Sequence, residues 1–114
     1  MTWEEFCAAC IPEPYTVTVE ARTGTGAHGD VFAAPVPVEL CVIENTTRMV
    51  VVQTADAEGS EQLSSTTVYC PLTATVTPGS RVTLPWGPPR QVLAVTENRA
   101  HGHQLPEHLE FNLE

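Results

Sequence analysis

SSTTVYCPLTATVTPGSRVTLPWGPPRQVLAVT, residues 64–96, holds three β-rich runs: Ser64 to Cys70, Arg81 to Leu84, and Gln91 to Thr96. Pro71 closes the first, Thr77-Pro78-Gly79-Ser80 turns the chain into the second, and the bend Pro85 to Pro89 separates the second from the third. Proline has no N–H to give a ladder, so Pro85, Pro88 and Pro89 exclude a paired strand between them. Pro78-Gly79 sets a tight turn, because proline presets φ and glycine accepts a positive one. Strands this short and this regularly punctuated point to a barrel rather than to βαβ units.

The same pattern extends outward. Tyr15, Val17 and Val19 alternate with Thr16, Thr18 and Glu20, as on a half-buried strand. Val38, Leu40 and Val42 alternate with Glu39, Cys41 and Ile43, and Asn45-Thr46-Thr47 predicts a hairpin turn into Arg48 to Gln53. Asp56 to Gln62 reads as a polar connection, and His108 to Leu113 as the last strand. At the other end, Thr2 caps a short helix with Glu5 three residues on, and Pro12 and Pro14 stop it. The expected fold is all-β: one domain over residues 1–114, a small closed or partly open barrel of six or seven short antiparallel strands. Residues 1–14 form an N-terminal helix or arm, and residues 22–37 a long early loop. That loop is loosened by Gly24, Gly26 and Gly29 and then stiffened by Pro35 and Pro37.

Composition narrows function. With 14 acidic and 5 basic residues the formal charge is -9, which repels phosphate, so ordinary DNA grip is excluded. Lysine is absent, which removes Schiff-base chemistry and the commonest phosphate ligand. Met1 to Tyr15 contains no Arg but has Glu4, Glu5 and Glu13, unlike a signal peptide, and no apolar run nears the length of a membrane helix. The expectation is a protein made in a cytoplasm, with Cys7, Cys10, Cys41 and Cys70 as free thiols.

Few residues suggest chemistry. Cys7 and Cys10 have the spacing of half a zinc site, without a second half; thiols packed against the barrel are the better reading. His101, His103 and His108, with Glu107 or Glu110, cluster around Gly102 in what reads as a solvated loop. Ser64, Ser65 and Ser80 lack a nucleophile setting, and Gly24 to Gly29 lacks the Lys and helix of a phosphate cradle. No catalytic residue and no cofactor is expected. Trp3 and Trp86 fall outside the strands, as interface anchors or as lids over a barrel end.

Five segments in order carry a resemblance: Gly29-Asp30-Val31-Phe32-Ala33-Ala34-Pro35, Ser64 to Pro71, Pro78 to Pro85, Val92-Leu93-Ala94-Val95, and Leu105 to Glu110. Together they resemble the head-to-tail stopper or head-closure proteins of siphophages, particularly those infecting actinobacteria. The Cys7 to Cys10 extension and the Trp86-Gly87-Pro88-Pro89 bend depart from that pattern. The resemblance implies a non-enzymatic virion protein of the neck. It would form a twelve-membered ring below the portal and adaptor and above the tail terminator and tail tube. DNA would pass through its bore without sequence-specific binding, and no membrane would be involved. The long loop would be the gate that closes the channel, placing Gly24, Gly26, His28, Gly29, Asp30, Val31, Phe32 and Pro35 in it. Glu20, Asp30 and Glu39 are candidates for an acidic, DNA-repelling wall. Ring contacts through strand edges and the two chain ends would use Trp3, Phe6, Trp86, Leu109 and Phe111. The alternatives are a tail-completion or terminator subunit of the same virion, and a small intracellular metal-binding adaptor built on the Cys pair.

Overall fold

The computed structural model describes residues 2–26, 29–54, 58–102 and 105–114. Among the described residues one helix, α1 (Trp3–Cys10), precedes ten strands: β1 (Tyr15–Glu20), β2 (Arg22–Gly26), β3 (Gly29–Phe32), β4 (Val36–Glu44), β5 (Arg48–Val51), β6 (Glu61–Ser64), β7 (Thr66–Cys70), β8 (Arg81–Thr83), β9 (Arg90–Asn98) and β10 (His108–Leu113). Six of them close an antiparallel barrel, the all-β class that the sequence predicts, in the order β1-β4-β7-β10-β9-β8, with β8 returning to β1. The other four form two separate hairpins, β2–β3 and β5–β6.

Period-two patterning fills the barrel. Leu109, Phe111 and Leu113 of β10 point inward and are buried, as are Val68 and Cys70 of β7 and Val17 and Val19 of β1. On the opposite side of the wall Thr67 Oγ1 donates to Asn112 Oδ1 at 3.0 Å, which satisfies a buried polar pair. Closure removes sheet edges, the main hazard of a small all-β chain.

Three expectations change. First, the alternation of Val38, Leu40 and Val42 breaks at a bulge. Tyr15 pairs with Cys41 while Val17 pairs with Val38, and Leu40 takes a left-handed conformation with φ 58°. The extra residue shifts the phase, so Cys41 rather than Leu40 enters the core. Second, Asn45 to Thr47 does not fold β5 back onto β4. The place beside β4 is taken by β7 (Val42 opposite Tyr69), and β5 pairs with β6 instead. Closing the barrel covers the apolar face of β4, which a local hairpin would not. Third, residues 22–37 are not a structureless loop: β2 and β3 form an antiparallel hairpin, and β4 already begins at Val36. Pro37, opposite Thr18, is tolerated because β4 is paired there with β1 alone, its ladder with β7 spanning only Val42 to Glu44, so one side of the strand needs no N–H.

Helix α1 is capped as its sequence predicts, Thr2 Oγ1 accepting from Glu5 N–H at 3.1 Å, and it ends where Ile11 N–H donates to the Cys7 carbonyl. It buries Trp3 and Cys7. Trp3 Nε1 donates to the Leu40 carbonyl at 2.7 Å, so the bulge supplies the acceptor that seats the helix. Trp3→Phe keeps an aromatic side chain, though a smaller one, and leaves that carbonyl without its donor. The expected cost is about 1–2 kcal/mol, the desolvation penalty of a stranded polar group. A urea midpoint measures it; an unchanged midpoint would show that the indole N–H contributes nothing.

Candidate functional site

Both hairpins are continuations of β4. The β2–β3 arm enters at its start, Val36, and the β5–β6 arm leaves from its end, Glu44, so the two spring from opposite ends of one strand. The molecule is elongated, 46 × 27 × 25 Å.

The β2–β3 arm is bolted at its root. Arg22 N–H donates to Ser80 Oγ at 3.2 Å, Ala33 N–H to the Ala21 carbonyl at 2.8 Å, and Thr23 Oγ1 to the Val31 carbonyl at 3.1 Å. The Arg81 guanidinium lies 4.4 Å from the centre of the Phe32 ring and pairs with Glu20 at 2.7 Å and 3.2 Å. Gly79, at φ 86°, gives the Arg22 side chain room: a Cβ there would meet Arg22 Cδ at 2.8 Å. Of the residues expected in the gate, Gly24, Gly26, Gly29, Asp30 and Val31 belong to the hairpin ladder. Phe32 anchors the root, and Pro35 lies in the exposed link to β4. His28 lies outside the described residues. Glu20 does not serve as a free wall charge, because Arg81 neutralises it; Glu39 is exposed beside the arm.

The β5–β6 arm is held by its own set of bonds. Arg48 pairs with Glu44 at 2.7 Å and reaches Glu110 at 3.6 Å, while Tyr69 Oη donates to the second oxygen of Glu44 at 3.2 Å. The Arg48 guanidinium, with the Thr46 and Tyr69 hydroxyls, holds the Glu44 carboxyl below its usual range. Desolvation, and then the nearby Glu110, push the Tyr69 hydroxyl up. Gln53 N–H donates to the Leu93 carbonyl at 2.8 Å, and Val95 N–H to Gln53 Oε1 at 2.9 Å, which ties the arm to β9. The sequence predicts a strand over Arg48 to Gln53 but not this arm; Met49 and Val51 are the apolar side chains that the barrel leaves outside.

The expected ring contacts divide. Leu109 and Phe111 are core residues, Phe111 at 0% exposure, because β10 runs between β7 and β9 rather than along an edge. They offer no surface to a neighbour, and neither does Trp3, which is buried under α1. Phe6 is half-buried against Trp3, ring centres 5.3 Å apart. Trp86 remains available at 43% exposure, edge-on to Tyr15 with ring centres 5.3 Å apart.

Cys7 faces the barrel wall and Cys10 faces solvent. Among the described residues no group of three or more His, Cys, Asp or Glu side chains is placed to hold a metal ion. His108 lies between Trp3, tilted against it, and Tyr69, edge-on to it; its Nδ1 meets the Pro106 carbonyl at 2.9 Å, which leaves Nε2 to accept from Asn98. His101 is exposed, and His103 lies outside the described residues. An apolar cleft of about 510 Å³ runs between the β2–β3 root and residues 71–75, lined by Ala21, Ala33, Val36, Pro37, Leu40 and Ala74 among others.

Burial pushes the Cys41 and Cys70 thiols up to about 12. An unfolded thiol ionises near 9.0, so above that pH the unfolded chain sheds protons that the folded chain keeps. Stability that is complete below pH 9 is therefore expected to drain away as pH rises toward 12. At neutral pH iodoacetamide is expected to modify Cys10 alone, with Cys7, Cys41 and Cys70 reacting only after unfolding. Peptide mass mapping reads the second result, and urea midpoints across the alkaline range the first.

Comparison with family models, with curated proteins and with solved structures gave no match.

Proposed function

We propose that this chain is a non-enzymatic structural subunit of the head-to-tail junction of a tailed phage, a stopper-like protein whose copies form a ring around the DNA channel. The ring, twelve-membered in the family the sequence resembles, sits between the portal and adaptor above and the tail terminator and tube below. It is made in the host cytoplasm and ends in the virion. The β2–β3 arm is the gate.

One observation carries this reading. A closed barrel bears a hairpin arm over the residues that the resemblance assigns to the gate, and that arm is fixed at its root by the Arg22–Ser80, Ala33–Ala21 and Arg81–Phe32 contacts. A gate needs a rigid base, so that movement at its outer end is referred to the ring. The formal charge of -9 per copy adds to it: repeated around a ring, such a charge repels DNA and lets it slide without binding. Trp86 with Tyr15 supplies exposed aromatic surface of the sort that subunit contacts use. Locating the chain in purified mature particles tests the reading.

A further inference from the structure

We propose that the outer face of the β5–β6 arm is a docking surface for a different protein, one that presents an apolar strand or groove bordered by Lys or Arg. The inference is independent of the neck reading and would hold for a barrel in any other setting.

The face follows from the register. Met49 pairs with Leu63 and Val51 with Glu61, and side chains of directly paired residues share one side of a ladder. Met49, Val51 and Leu63 are 58%, 57% and 57% exposed. Val50 and Gln62 point the other way. A single apolar side chain on a surface means little, but three contiguous ones on one face of a hairpin form a patch of the kind that marks an interaction site.

The arm is also preorganised. Val52 is buried; its N–H donates to the Ser60 carbonyl at 2.8 Å, and its carbonyl accepts from Gly59 at 3.0 Å. Together with the Gln53–Leu93 bond and the Arg48 pairs, these contacts hold the face out from the barrel. A partner would not have to order the arm, so little of the contact energy is lost to ordering.

Charge selects the occupant. Glu61 lies on the exposed face beside Val51, and Glu58 is exposed at the turn. The cation nearest them in the strand, Arg48, is turned to Glu44 and Glu110. A second copy of this chain is a poor match. At this face it brings Glu58 and Glu61 again, and its Arg48, Arg81 and Arg99 are already paired with Glu44, Glu20 and Glu97. Bringing acidic copies together at this face would place carboxylates against carboxylates, whereas a basic margin on another protein would answer Glu58 and Glu61.

The test uses the full chain and two fluorescent synthetic peptides of alternating sequence, one Val/Lys and one Val/Glu, followed by anisotropy. The Val/Lys peptide is expected to bind saturably and to weaken as salt rises. A variant with Met49→Ser, Val51→Ser and Leu63→Ser, whose urea midpoint should be nearly unchanged because those side chains are exposed, is expected to bind it at least about tenfold less tightly. Charge reversal, Glu58→Lys with Glu61→Lys, should abolish the preference for Val/Lys over Val/Glu. Equal binding by the unaltered chain and the triple serine variant, equal binding of the two peptides by the unaltered chain, or no saturable binding would each overturn the proposal. Sedimentation of the chain alone guards against the other occupant: self-association that the serine substitutions abolish would assign the face to a second copy and overturn it as well.

Discussion

Phe111→Ala is expected to cost about 3–5 kcal/mol, the range for truncating a buried aromatic side chain and leaving a cavity behind. Phe111 sits at the centre of β10, paired with Val68 on one side and Val95 on the other, and none of it is exposed. The strand joins β7 to β9, so damage there weakens two ladders at once. Set against a total of about 5–15 kcal/mol for an ordinary domain, a loss of this size leaves a large unfolded fraction. Urea unfolding followed by tryptophan fluorescence reads it. A shift of under about 1 kcal/mol would mean that β10 is not the packed centre of a closed barrel.

The second large effect separates fold from function. Replacing residues 24–29 with a short Asn-Gly turn removes most of the β2–β3 arm but leaves its root, with Arg22, Phe32 and Ala33 in place. The barrel should keep its midpoint to within about 0.5 kcal/mol, as expected for a change outside the core. Packaged heads assembled with the shortened chain are expected to lose their DNA while still joining tails. Full DNA retention with normal tail joining would remove the arm from the gate.

The barrel was legible because its signals are local. Pro71, Pro78-Gly79 and Pro85 to Pro89 mark the strand ends, and Leu109, Phe111 and Leu113 alternate with a clear period of two. The helix cap at Thr2 was legible for the same reason. What escaped the reading depends on partners distant in the chain. Leu40 carries no mark of a left-handed residue; it adopts that conformation at a bulge in the β1–β4 ladder, where its carbonyl takes the Trp3 indole. That one residue reverses which of Leu40 and Cys41 is inside.

Arg48 to Gln53 looked like the return strand of β4 because a turn follows β4 closely. The neighbour of β4 is instead β7, more than twenty residues on, and the displaced strand forms an arm of its own. Leu109 and Phe111 were assigned to a subunit contact from their place near the chain end, but position in the chain does not determine position in the sheet. In β10 they fall on the inward phase of the alternation, which the core of the closed barrel buries. Residues 22–32 form a hairpin rather than the loose loop their glycines suggest, because Gly24, Gly26 and Gly29 take ladder positions.

In the proposed neck, copies of this barrel stand in a ring around the DNA channel with their β2–β3 arms turned inward. Cryo-electron microscopy of purified mature particles, supported by mass spectrometry of their proteins, tests it most directly. The expected map has a ring of six-stranded barrels between portal and tail, with a hairpin from each copy reaching the bore. Particles that lack the chain, or a ring whose β2–β3 arms point away from the channel, would contradict it.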